Sequence, residues 1–145
     1  MTEYPLTKFH FVVAWGGSRI GFTEVSGLEA ETELIEYREG SSAEYSKIKM
    51  PGMQKYANIT LKRGTFLGDN DFFEWWKTTR ILGKPERRDL IISLLNEEHA
   101  PVMNWKVKNA FPTKVQATDL KADGSEVAIE TLELAHEGIE MEAIA

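Results

Sequence analysis

The chain has 145 residues, 42% of them hydrophobic and 28% charged, which suits one soluble globular domain large enough to bury its own core. It has no cysteine, so a disulfide framework, a thiolate metal site and a cysteine nucleophile are excluded. Its 23 acidic against 17 basic residues leave a net charge of −6, which repels phosphate backbones and argues against sequence-specific nucleic-acid binding.

Met1-Thr2-Glu3-Tyr4-Pro5 puts an acidic residue and a proline where a signal peptide carries a basic stretch and an apolar run. No apolar run approaches the roughly 20 residues of a membrane helix, so no membrane anchor is expected. From Lys8 to Trp15 the residues alternate: Phe9, Phe11, Val13 and Trp15 point one way, His10, Val12 and Ala14 the other. Period two with aromatic and β-branched residues predicts a strand. Gly16-Gly17 reads as a tight turn and Arg19–Val25 as the returning strand, through Ile20 and Phe22, so a hairpin is expected. Leu28–Tyr37 predicts a further strand, with Glu29, Glu31 and Glu33 on a water-facing side and Leu28, Ala30, Thr32 and Leu34 on the other.

The pattern then dissolves, and about 38–55 is expected to be a long inter-strand loop. Tyr45, Ile48, Met50 and Met53 are apolar and need cover, from their own domain or from a neighbouring subunit. Tyr56–Arg63 is strand-like again, Ile59 and Leu61 opposing Thr60 and Lys62. A helix is predicted over about 71–81: Asp71 caps it, Glu74 stands in the capping-box position, Phe72, Phe73 and Trp76 form its apolar face, and Gly83 and Pro85 stop it.

Asp89–Leu95 is apolar on both faces and reads as a central strand. Pro101–Lys108 and Ala110–Ala117 read as two strands separated around Asn109. Glu126–Glu137 changes phase between Val127/Ile129 and Leu132/Leu134, which predicts a strand with a bulge near Glu130–Thr131; a helix is the rival, and the preceding Asp123-Gly124 turn favours the strand. The expected fold is one mainly β domain over 1–145, a β-sandwich or barrel of two packed sheets with one flanking helix. Open sheets of this kind have edges that template pairing with other chains.

No catalytic, cofactor-binding or metal-binding constellation emerges. The three histidines, His10, His99 and His136, lack ligand spacing, and the chain has no phosphate cradle or nucleophile elbow. The four tryptophans fall in regular elements, where packing is the default. Lys62-Arg63, Arg80, Lys84 and Arg87-Arg88 form a loose basic set, either a solvated face or a complement to an acidic strand of a neighbouring copy.

Several stretches, in this order, resemble the tail-tube proteins of contractile phages and phage-tail-like contractile injection systems. They are Phe9-His10-Phe11-Val12-Val13, Phe22-Thr23-Glu24-Val25-Ser26-Gly27-Leu28, Tyr37-Arg38-Glu39-Gly40, Met50-Pro51-Gly52, Thr60-Leu61-Lys62-Arg63-Gly64, Phe72-Phe73-Glu74-Trp75-Trp76, Trp105-Lys106-Val107-Lys108-Asn109-Ala110-Phe111-Pro112 and Glu130-Thr131-Leu132-Glu133-Leu134-Ala135-His136-Glu137-Gly138. The resemblance, which extends more distantly to the tube protein of type VI secretion, implies a structural subunit without cofactors. Six copies would close a ring, rings would stack into a hollow tube within a sheath on baseplate and spike proteins, and effectors or DNA would occupy the lumen. It implies assembly in the cytoplasm, then residence in a virion or an extracellular particle. On this reading the loop residues Tyr45, Ile48, Met50 and Met53 contact neighbouring subunits, and Glu29, Glu31, Glu33 and Lys62 are candidates for the lumen wall. A monomeric ligand-binding β-barrel and an effector carried by such a system are the alternatives.

Overall fold

The computed structural model describes residues 10–17, 21–38, 40, 48–80, 84–122 and 127–144. Among these the chain forms strands β1 (Phe11–Ala14), β2 (Glu24–Ser26), β3 (Ala30–Tyr37), β4 (Ile48–Tyr56) and β5 (Ile59–Gly64), then helix α1 (Asp71–Lys77) continued by a 3-10 turn (Thr78–Arg80). Strands β6 (Arg88–Leu95), β7 (Pro101–Gln116), β8 (Ile129–Ala135) and β9 (Gly138–Ala143) complete it. Seven strands join in the order β1-β6-β7-β8-β5-β2, with β9 also on β7, and β3 and β4 form a separate antiparallel ribbon. The fold is mainly β and packs as an open sandwich, not a closed barrel: β1 and β2 end the strand order without pairing to each other.

Strand β7 makes two layers from one sheet. Its first half pairs with β9, Met103 opposite Ala143 through Lys108 opposite Gly138, and its second half pairs with β8, Phe111 opposite Ala135 through Gln116 opposite Thr131. The two predicted strands flanking Asn109 are therefore one, with a bulge between: Arg88 faces Ala110 but Leu90 faces Val107. Asn109 takes φ 50°, a conformation asparagine tolerates better than most residues. Its N–H donates to Asp89 Oδ1 (2.9 Å) and its side-chain amide to Glu137 Oε2 (2.8 Å), which hold the bend.

Between the layers Val13, Leu90, Ile92 and Val107 meet Ile59, Leu61, Leu132 and Leu134 in one buried cluster. Helix α1 closes one end. Phe72 and Trp75 face inward from it, Trp15 lies 5.1 Å from Phe72, and Phe22 stacks on Phe72 at 6.0 Å. Within this aromatic box Arg63 is fully buried, its guanidinium 4.1 Å from the Phe72 ring and 5.2 Å from that of Trp15. Arg63 Nε donates to Glu130 Oε1 (2.7 Å) and Nη2 to Asp69 Oδ1 (3.0 Å), while Nη1 has no partner.

Four further expectations need correction. The hairpin around Gly16-Gly17 does not form: β1 pairs with β6 and β2 with β5, at opposite ends of the sheet order. The glycines serve packing there, since a Cβ on Gly17 would lie 2.1 Å from the Trp15 ring, and Phe22 is drawn into the aromatic box. The long loop is shorter than expected, because residues 48–56 are strand β4, paired with β3 from Ala30 opposite Tyr56 to Tyr37 opposite Ile48. In α1 the N-cap is Asn70 rather than Asp71, Asp69 Oδ1 accepts the Asp71 N–H, and the buried pair is Phe72 and Trp75; Phe73 is 44% exposed. Finally, β8 pairs with β5 in unbroken register from Ile129 to Leu134, so no bulge occurs at Glu130–Thr131. The irregularity lies opposite, in β7 between Pro112 and Lys114, and the chain breaks strand only at His136–Glu137 before the unforeseen β9. The Asp123-Gly124 turn lies outside the described residues.

Removing the buried cation takes the opposite charge from Glu130 and Asp69. Arg63→Ala is expected to cost about 3–5 kcal/mol, read as a lowered urea midpoint with an unchanged slope.

Candidate functional site

The ribbon of β3 and β4 stands apart from the core. All eight residues of β3 are exposed, and an isolated two-stranded ribbon is marginal in water. Residues opposite each other share a face, so Ile35 with Met50 and Tyr37 with Ile48 make an apolar patch near the ribbon's free end. Their exposures are 45%, 41%, 51% and 60%, and Met53 reaches 76% at the bulge opposite Glu33. Of the predicted contact residues, Ile48, Met50 and Met53 therefore sit together on a strand, while Tyr45 lies outside the described residues. Ile35 and Tyr37 complete the patch and were legible only as part of the β3 alternation.

The ribbon is clamped at its root. Gly27 (φ 89°) lies so close to Asn58 that a Cβ would meet its carbonyl oxygen at 2.1 Å. Asn58 Nδ2 donates to Glu133 Oε1 at 3.0 Å. The His136 ring packs 5.6 Å from that of Tyr56, and its Nε2 lies 2.9 Å from the Ala57 carbonyl oxygen.

A second surface is the outer face of β2-β5-β8-β7. The inward row Val25, Leu61, Leu132 and Val115 is apolar. The flanking outward rows are Glu24, Lys62, Thr131, Gln116 and Ser26, Thr60, Glu133, Lys114. These rows hold no large apolar side chain and balance two carboxylates against two ammonium groups, with Lys62 Nζ 3.5 Å from Glu24. The proposed lumen residues thus divide. Lys62 belongs to this polar face, whereas Glu31 and Glu33 lie on the ribbon and Glu29 just before it. Glu31 faces Lys55 and Glu36 faces Lys49 across the ribbon, so it has no wholly acidic side.

A third feature is a groove of about 610 Å³ between the two ends of the strand order, lined by Phe11, Phe22, Val25, Leu28, Leu94 and Trp105. Among the described residues no group of three or more His, Asp or Glu could hold a metal ion, and no helix is long and apolar enough to cross a membrane.

Comparison with solved structures places this geometry in a class. The chain is 35% identical to one in an extracellular contractile injection system, the PVC sheath–tube complex in its extended state, with a TM-score of 0.88 over 98% of this chain and 94% of that one. It is 33% identical to one in the anti-feeding prophage tube-terminating cap, with a TM-score of 0.90 over 99% and 95%. Hcp1 from Flavobacterium johnsoniae shares the fold at 17% identity and a TM-score of 0.58, over 93% and 96%. Comparison with curated protein sequences gave no match. These likenesses define a structural tube subunit of the contractile-injection kind. The chain belongs to the T4-like virus tail tube protein gp19 family, whose model matches residues 7–140.

Loosening the clamp should free the ribbon without unfolding the sandwich. His136→Ala is expected to cost about 1 kcal/mol and to raise hydrogen exchange in β3 and β4 while core amides keep their protection.

Proposed function

We propose that this chain closes rings of six copies that stack coaxially into a hollow tube, and that it acts mechanically, without catalysis. The observation that carries the reading is the β3–β4 ribbon, a folded element whose apolar patch has no cover within its own subunit. Covering four half-exposed side chains at roughly 1 kcal/mol each gives about 4 kcal/mol per contact, repeated at every subunit. Two-stranded pairing across free edges adds main-chain hydrogen bonds to the same contacts. Ring order six is supported by family membership and by a fold relative from the six-fold symmetrised baseplate of the anti-feeding prophage.

Within the tube, the polar outer face of β2-β5-β8-β7 lines the bore. Its mixed charges and small side chains let cargo pass without gripping it, whereas a strongly single-signed wall would hold or repel charged cargo. The acidic ribbon residues Glu29, Glu31 and Glu33 then lie at contacts between subunits. The sheath and the baseplate of the relatives imply equivalent partners here, and effector proteins or DNA are the cargo. The subunit assembles in the cytoplasm and ends in an extracellular particle or a virion.

Negative-stain images of the purified protein, with baseplate proteins present where nucleation requires them, are expected to contain rings or tubes. A homogeneous monomer under those conditions overturns the reading. Ile35→Asp with Met50→Lys, an opposite-charge pair across the ribbon, should abolish assembly and leave the unfolding free energy within about 0.5 kcal/mol of the parent, because both side chains are exposed in the subunit. In tubes, Lys62→Cys is expected to react with a small maleimide that diffuses along the bore and to resist one carried on a protein too wide to enter.

A further inference from the structure

We infer that the apolar groove between β1 and β2 is the receptor for the β3–β4 ribbon of a second copy of this chain. The inference rests on the tube reading and names the surface that completes it. The groove lies where the sandwich fails to close, walled on one side by Phe11 of β1 and Leu94 of β6 and on the other by Val25 and Leu28, with Phe22 and Trp105 also in its lining. Among the described residues β1 pairs only with β6 and β2 only with β5, so within that set each wall also presents a strand edge. An open apolar seam between two free edges calls for an occupant that supplies both apolar side chains and unpaired main-chain groups.

The ribbon has both. Its apolar patch is Ile35, Tyr37, Ile48 and Met50, and among the described residues β3 and β4 pair only with each other. It cannot fill the groove of its own subunit. The ribbon leaves from Leu28, itself part of the groove wall; its ladder runs outward from Ala30–Tyr56 with one bulge at Glu33, and its apolar side chains stay exposed among the described residues. At about 3.4 Å per residue, Ile35 and Tyr37 stand roughly 17–24 Å beyond that root. A paired ladder clamped by Asn58 and His136 cannot double back over so short a span. The same patch on one copy therefore meets a different patch on the next, a head-to-tail contact that propagates from subunit to subunit and closes or continues according to its rotation.

The absence of native cysteine makes the test direct. A chain carrying Met50→Cys and Leu94→Cys is assembled together with the parent chain and treated with a short bis-maleimide. The expected result is a ladder of covalent multimers on a denaturing gel. A mixture of the two single-cysteine chains should stop at dimers. Val25→Cys, on the opposite wall, should replace Leu94→Cys with the same outcome, which keeps the test valid if one groove substitution impairs folding. Tubes that form normally while both pairs stay monomeric overturn the inference and leave the tube reading standing. So does a link formed only within one chain, or a link from Leu94→Cys to Leu6→Cys in preference to the ribbon, which would make residues 1–9 the occupant. Failure of the parent chain to form rings or tubes overturns both.

Discussion

A fully buried guanidinium holds this subunit together. Arg63 is out of contact with water, and a cation there is tolerable only where opposite charges and hydrogen bonds replace its hydration. Glu130 on β8 and Asp69 before the helix supply the charges, and the faces of Phe72 and Trp15 supply a favourable field above and beside the guanidinium plane. One side chain on β5 thereby fixes the neighbouring strand, the loop that starts the helix, the helix itself and the residue that follows β1. Asp69 also accepts the Asp71 N–H, so one carboxylate both pairs with Arg63 and binds a free N–H of the first turn of α1. The end of the sandwich that the helix closes is set by this group.

The opposite end has no such plug, and the molecule divides there into a self-sufficient part and a dependent one. The sandwich buries its own apolar rows and satisfies its own bends. The ribbon and the groove do neither. Both sit beside β2, three residues long, which ends the strand order and leads through Gly27 into the ribbon. A longer β2 reaching β1 would close the sandwich and remove the groove, so the shortness of this strand is what leaves the subunit unfinished.

Much of this was legible in the residue pattern, and the misses have physical causes. Period-two alternation located β1, β3 and β5, a run apolar on both faces located β6, and the aromatic stretch located α1, although its cap and its buried pair were misassigned. The same alternation in Ile59, Leu61 and Arg63 put the arginine on the inward face, but a basic residue beside Lys62 reads as surface until its partners are known. Pairing of β1 and β2 was misread because two glycines signal a turn without naming the strand that returns. Strand β4 was hidden by Pro51-Gly52, which weaken any strand reading; a ribbon strand paired on one side only has no second neighbour to miss the proline N–H. The uncovered apolar residues Ile48, Met50 and Met53 were nonetheless visible as groups in need of a partner. The acidic strand was not one-sided, because Lys49 and Lys55 face it from residues that looked like loop.

The bend at Asn109 has a mechanical consequence. Because β7 runs unbroken through it, the two layers are joined by peptide bonds as well as by packed side chains. Two sheets held by contact alone slide over one another under load, since apolar packing resists separation better than shear. Here a displacement of one layer stretches a covalent chain that continues into the other. A particle that must be driven end-on through a barrier gains stiffness in each unit from this single shared strand, and the asparagine sets the angle at which the load is handed across.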